Sequence, residues 1–295
     1  MPYSHLGPRW AIAAAIAAMA TAAATSAHAV TLVGLTSANE LARIDTSNIA
    51  AATRTAITGL AAGDRFVGID LRPGDNKIYG VTLSNQIYTV NEMTGAATFV
   101  AALSTPIVNT TLGYGIDFNP VADFSGAASL RFVSSAGSNY AINASTGAVT
   151  VATSIAAGYS GVGYSNSNPL PTTAPASTSL YYIDSTNDTL AVATTGFNNP
   201  TITTVGALGV DALRANGFEV LGNGQAFAAL NVDAGTSLTT GIYGVNLATG
   251  AATLVGSFNG TLSGLTVSAV PEPESYALML GGLLVVGRLA RQRQG

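Results

Sequence analysis

The chain has 295 residues, no cysteine, two histidines and a formal net charge of −4 at pH 7, with only 9% charged residues. Without cysteine it has no disulfide, no thiol nucleophile and no thiolate metal site. His5 and His28 both fall in an N-terminal leader, so the rest of the chain is left without Ser-His-Asp or Cys-His catalysis and without His-ligated zinc.

The leader comes first. Arg9 precedes an uncharged, alanine-rich stretch that begins at Trp10 and closes with Ala27-His28-Ala29. That is the order of a secretory signal peptide with an A-x-A site, so cleavage by signal peptidase is expected after Ala29. Residues 1–29 are therefore set apart from residues 30–269, a 240-residue stretch that suits one all-β domain. This stretch has 7 basic and 13 acidic residues, a net −6. Such a surface repels phosphate backbones, and nucleic acid is not an expected partner.

Within it, self-similarity recurs at a period near 50 residues. One copy runs from Gly68 to Leu103, and others open at Gly115, Gly161 and Gly217. Each divides into four short runs of alternating, β-branched character bounded by turn residues, as in GIDL, KIYGVTL, QIYTVNE and AATFVAAL. The link between third and fourth runs carries Gly95, Gly147, Gly196 and Gly250, and Asn48 in the first segment. Glycine, or asparagine as second choice, suits a left-handed turn there. The first segment lacks an opening run, and LSGLTV at Leu262–Val267 stands alone after the last copy. The expected fold is all-β: a five-bladed β-propeller whose C-terminal strand pairs with Thr31–Thr36 and closes the ring. The Pro-rich stretch Asn166–Ser179 is expected as an exposed insertion in the third copy.

The GID-(L/F)-(R/N)-P openings at Gly68–Pro73 and Gly115–Pro120, the Ile78–Gly80 run and the T-G-A-x-T turns resemble the DUF4394 family. That resemblance implies an exported bacterial protein and carries no assigned activity. The third copy departs from it, with Gly163 where Asp70 and Asp117 stand.

Aligning the opening runs puts Asp70, Asp117, Gly163, Glu219 and Thr266 at equivalent places. First strands of propeller blades lie nearest the axis, so the three carboxylates should meet in or beside a central channel. Two readings compete. One is a cation site, or an acid/base set for sugar chemistry like that of glycosidases, with one raised pKa. The other is structural, with each carboxylate bonding backbone amides at a strand end. The structural reading is preferred, and no catalytic residue, metal or cofactor is assigned. The only tryptophan, Trp10, leaves with the leader, which removes the usual sugar platform. The strand tyrosines, Tyr79, Tyr88, Tyr140, Tyr181, Tyr182 and Tyr243, are read as packing residues. No calcium loop, P-loop or dinucleotide fingerprint appears.

The tail, residues 270–295, begins with Pro271-Glu272-Pro273. An uncharged run from Ser275 to Gly287 follows, then Arg288, Arg291 and Arg293. The run's 13 residues would span roughly 20 Å as a helix, a short membrane segment with its arginines on the cytoplasmic side. The three-part order resembles the PEP-CTERM sorting signal. The resemblance implies transient residence in the inner membrane, processing by an exosortase, and a destination at the cell surface or beyond it. PEP-CTERM proteins as a group resemble components of exopolysaccharide-associated surfaces. The expected function is a non-catalytic binding or structural module whose partner is a polysaccharide or surface protein. The alternative is a carboxylate-dependent glycosidase or lyase acting through Asp70, Asp117 and Glu219.

Overall fold

The repeats fold as five four-stranded antiparallel sheets, the blades of a β-propeller. The computed structural model describes residues 29–213, 216–233 and 238–270. Blade 1 takes β1 (Thr31–Thr36), β2 (Glu40–Asp45) and β3 (Thr53–Ala56) from the N-terminus. Blade 2 is β4 (Phe66–Arg72), β5 (Lys77–Thr82), β6 (Gln86–Val90) and β7 (Ala97–Ala102). Blade 3 is β8 (Tyr114–Phe118), β9 (Ser129–Ser134), β10 (Asn139–Asn143) and β11 (Val149–Val151). Blade 4 is β12 (Tyr159–Tyr164), β13 (Leu180–Asp184), β14 (Thr189–Ala193) and β15 (Thr203–Ala207). Blade 5 is β16 (Gly217–Val220), β17 (Ala226–Asp233), β18 (Leu238–Val245) and β19 (Ala252–Phe258).

The last strand, β20 (Leu262–Val267), completes blade 1 as its innermost strand. It pairs antiparallel with β1, from Leu32 opposite Val267 to Thr36 opposite Leu262. The ring is thus closed by the two ends of the domain, as expected from the surplus and missing runs. Closure gives blade 1 the same four strands as the other blades.

Burial follows radius. β8, β12 and β16 are buried at every position, whereas β7, β15 and β19 are largely exposed. The apolar core lies between blades. One cluster joins Tyr79, Val81 and Ile87 of blade 2 to Phe118, Leu130 and Phe132 of blade 3. Another joins Val33, Leu35 and Leu41 of blade 1 to Phe66, Ile69 and Ile78 of blade 2. Tyr79 meets Phe118 edge-on across a blade junction, with ring centres 5.4 Å apart, while Tyr88 packs on Phe66 and Phe99 of its own blade.

The inner strands contact one another around the axis in the order β20, β4, β8, β12, β16 and back to β20. Each opens its motif with a glycine: Gly264, Gly68, Gly115, Gly161 and Gly217. A Cβ on Gly217 would sit 2.5 Å from the Leu265 amide nitrogen, and one on Gly115 2.9 Å from that of Val162. At these two positions the glycine lets the inner strands of neighbouring blades come together. The axial cavity they leave is about 10 Å3, no more than a single water fills.

All inner strands end on one face, and the chain leaves β20 towards the tail there; this is the tail face, and the other is the far face. On the tail face, Asn119 accepts bonds from the Val121 and Ala122 amides at 3.1 Å and caps the short helix α1 (Pro120–Phe124). The same motif gives a hairpin turn at Pro73 and a helix start at Pro120.

One expectation needs correction. Gly95, Gly147, Gly196 and Gly250 have φ of 69°, 75°, 66° and 82°, but Asn48 has φ −151°. The chain instead enters a 3-10 turn at Ile49–Ala51 whose Ile49 is buried against β19. The Asn166–Ser179 stretch is exposed along most of its length, as expected, and is fastened to two other blades. The Leu170 amide donates to the Pro73 carbonyl of blade 2 at 2.8 Å, and Ser167 bridges Leu221 of blade 5.

Gly217→Ala should destabilise the domain by about 1–3 kcal/mol in urea titration through overpacking against backbone. Gly244→Ala, where a Cβ meets nothing closer than 3.9 Å, should leave the midpoint nearly unchanged.

Candidate functional site

The residue two places after each inner-strand glycine faces the next blade. There it meets a backbone amide that no ladder partner takes. Asp70 accepts from the Phe118 amide at 2.8 Å and Asp117 from the Tyr164 amide at 3.1 Å. Glu219 accepts from the Val267 amide at 3.2 Å, and the Thr266 hydroxyl from the Leu71 amide at 2.8 Å. In every case the donor is the residue after the equivalent position in the following blade. Gly163 is the one member with no side chain; the Val220 methyl fills that place, 2.9 Å from where a Cβ would stand.

The latch drives the carboxyls together. Asp70, Asp117 and Glu219 are all buried, and each has an oxygen within 4.8 Å of the others. Among the described residues, none of the three forms an ion pair. Arg131, cross-strand from Asp117, spends its guanidinium on Asn139, Asn198 and the Tyr164 hydroxyl.

Hydrogen counting shows that the cluster holds a proton. Thr266 lies 2.9 Å from both Asp70 and Glu219, and its oxygen already accepts from Leu71. One hydroxyl proton cannot serve two carboxylates. The electrostatics agree. Burial and then the Glu219 charge push Asp70 well above the usual carboxylate range. Burial, then the charges of Asp70 and Glu219, push Asp117 well above it too. Burial raises Glu219 to about 6, offset by bonds from Thr266 and the Val267 amide.

Three converging oxygens are also the donor set of a hard cation. The axial cavity, lined by Gly68, Tyr114, Val162, Asn216, Phe218 and Leu265 among others, does not reach the three carboxylates. In this geometry each carboxylate fastens one blade to the next.

Sequence alignment alone brought these three carboxylates and Thr266 together. It missed their amide donors and the Arg131 network, for which the sequence carries no local signal. The leader residue Ala27, the sorting residues Pro271, Glu272, Pro273, Arg288, Arg291 and Arg293, and the short membrane run lie outside the described residues. Ala29, the other cleavage residue, is the first of them. Among the described residues no helix is long and apolar enough to cross a membrane.

Two outcomes follow from the latch. Asp117→Ala, which strands the Tyr164 amide, should cost about 1–3 kcal/mol, whereas Asp117→Asn keeps the acceptor and should cost less. The second concerns pH. Folding raises the Glu219 pKa from an ordinary 4.5 to about 6, so the folded chain binds more protons than the unfolded chain between those values. The stability this lends is full below 4.5 and is lost as pH rises through about 6. Melting temperature should therefore fall from pH 4.5 to pH 7, and Glu219→Gln should flatten the slope.

The chain matches a domain of unknown function, DUF4394, over residues 40–266. Its tail matches the PEP-CTERM protein-sorting motif over residues 269–294. That signal indicates processing by exosortase, export across the inner membrane and a cell-surface or extracellular location. No curated protein matches the chain. Regucalcin, a calcium-binding protein from Agrobacterium tumefaciens str. C58, is similar at 12% identity and a TM-score of 0.41, over 76% of this chain and 68% of that one. A protein of unknown function from Bacteroides thetaiotaomicron VPI-5482 is similar at 13% identity and a TM-score of 0.45, over 80% of this chain and 59% of that one. Since the family match runs from β2 through β20, the chain belongs to the DUF4394 family.

Proposed function

We propose that the protein acts at the cell surface as a non-catalytic binding or structural module, and that its partner is a surface polysaccharide or another protein. One observation supports this above others. The carboxylates that a sugar-cleaving reaction would need are sealed in the ring and occupied with backbone amides. With no histidine or cysteine after the leader, few other groups are left for catalysis.

The reading is tested on protein released by its native host. Intact mass should place the N-terminus at Val30 and show loss of the arginines after Gly287. On a glycan array this material should bind without turnover. Polysaccharide cleavage by the parent chain, absent from Asp117→Asn, would refute the non-catalytic reading.

A further inference from the structure

The tail leaves the propeller from a fixed place. After β20, the Asn76 side chain donates to the Ala269 carbonyl at 2.9 Å. Glu92 accepts from the Val270 amide and the Ser268 hydroxyl, both at 2.9 Å. Arg43 holds Glu92 from the other side at 3.0 Å. The root of the tail is thus tied to blade 2 on the tail face.

That face differs from the far face. Its loops carry four exposed apolar side chains, Met93 beside the tail root, Val121 and Phe124 on α1, and Leu170 at the crossing loop, whereas the far face exposes Leu238 at the start of β18. Leu170 and Met93 are each 58% exposed although nothing in their turns requires an apolar residue. Its charges nearly balance: Arg43 pairs with Glu92 and Arg72 with Asp123 and Asp75, and Lys77 and Asp45 add one of each sign. Beyond the Glu40–Arg54 pair, the far face sets Asp64, Asp188 and Asp211 against Arg65 among the described residues. Lipid takes up apolar side chains on a surface of balanced charge, whereas an anionic bilayer repels an acidic one.

Covalent reach then limits the distance. Five residue steps separate Val270 from Ser275, where the uncharged run begins. They span at most about 18 Å, of which the headgroup layer takes roughly 5–7 Å.

We infer that, while the tail is in the inner membrane, the tail face lies against the lipid surface, with Met93, Val121, Phe124 and Leu170 as its contact residues. The inference rests on Ser275–Gly287 being a membrane segment. It adds which side of the propeller the membrane meets, and which side stays open to other partners.

The chain has no cysteine, so one introduced thiol is unique. The full-length precursor is reconstituted in phosphatidylethanolamine–phosphatidylglycerol vesicles. A polarity-sensitive dye is placed at Leu170→Cys on the tail face, or at the exposed Ala62→Cys on the far face. Phe124→Cys repeats the tail-face arm. The tail-face dyes should shift to the blue and lose intensity to a lipid-borne quencher, and the dye at position 62 should keep its aqueous spectrum. Equal quenching on both faces, or aqueous spectra at all three sites in a chain that floats with the vesicles, overturns the inference alone. A precursor that does not float with the vesicles overturns the membrane reading of the tail and the inference with it.

Discussion

The constraint on which this molecule turns is an unpaired amide. The inner strand of a blade has a ladder partner on one side only. Its outward amides face the next blade in a dry interior, where an unsatisfied donor costs about 1–3 kcal/mol. The chain meets this with an acceptor side chain from the preceding blade, at Thr266, Asp70, Asp117 and Glu219. The latch also sets order around the ring, because each acceptor reaches one blade forward. Apolar packing between blades contributes more area, but it does not distinguish one neighbour or register from another.

Satisfying amides this way creates a second problem. Ring geometry sends every acceptor to the same axis, and three of them are carboxyls within 4.8 Å. Like charges at that distance in a low dielectric cannot all remain ionised. The chain relieves the strain in three ways. One position is a hydroxyl, Thr266, which accepts an amide without bringing a charge. Another, Gly163, is left empty, and its neighbour's methyl fills the space. Part of the remaining charge is neutralised by a proton, which the two contacts of the Thr266 hydroxyl require. The departure of the third copy from its family pattern thus has a physical reading: one carboxylate fewer in a crowded core.

Much of this was legible in the chain, and the rest was not for definite reasons. Blade number, closure by Leu262–Val267 and the alignment of the three carboxylates followed from the repeat, because a period of about 50 residues and a leftover strand have few other solutions. The glycines of the opening motif were visible, but their cause was not. Only a built ring shows that a Cβ at Gly217 meets the Leu265 amide of the next blade. Asn48 misled because asparagine tolerates a left-handed turn without demanding one, and burial of Ile49 decided otherwise. The exposure of Asn166–Ser179 was legible, but its fastening was not, because prolines and small polar residues mark irregular chain whether or not it is anchored. Its anchors are backbone groups, which composition does not reveal.

The placement of β20 ties folding to sorting. This strand is the last of the domain to be made, and only Ser268–Val270 separate it from the Pro-Glu-Pro that follows. Val267 gives its amide to Glu219 of blade 5. Thr266 receives Leu71 of blade 2, and Ser268 and Val270 reach Glu92 of the same blade. Residues at the root of the tail are therefore bound at once to blades on both sides of the seam. An open ring offers no such pair of partners, because blades 5 and 2 meet β20 only when it has taken its place beside β1. Closing the propeller and fixing the origin of the sorting tail are one structural event. The same bonds that remove the last open edge also set the point from which the tail departs.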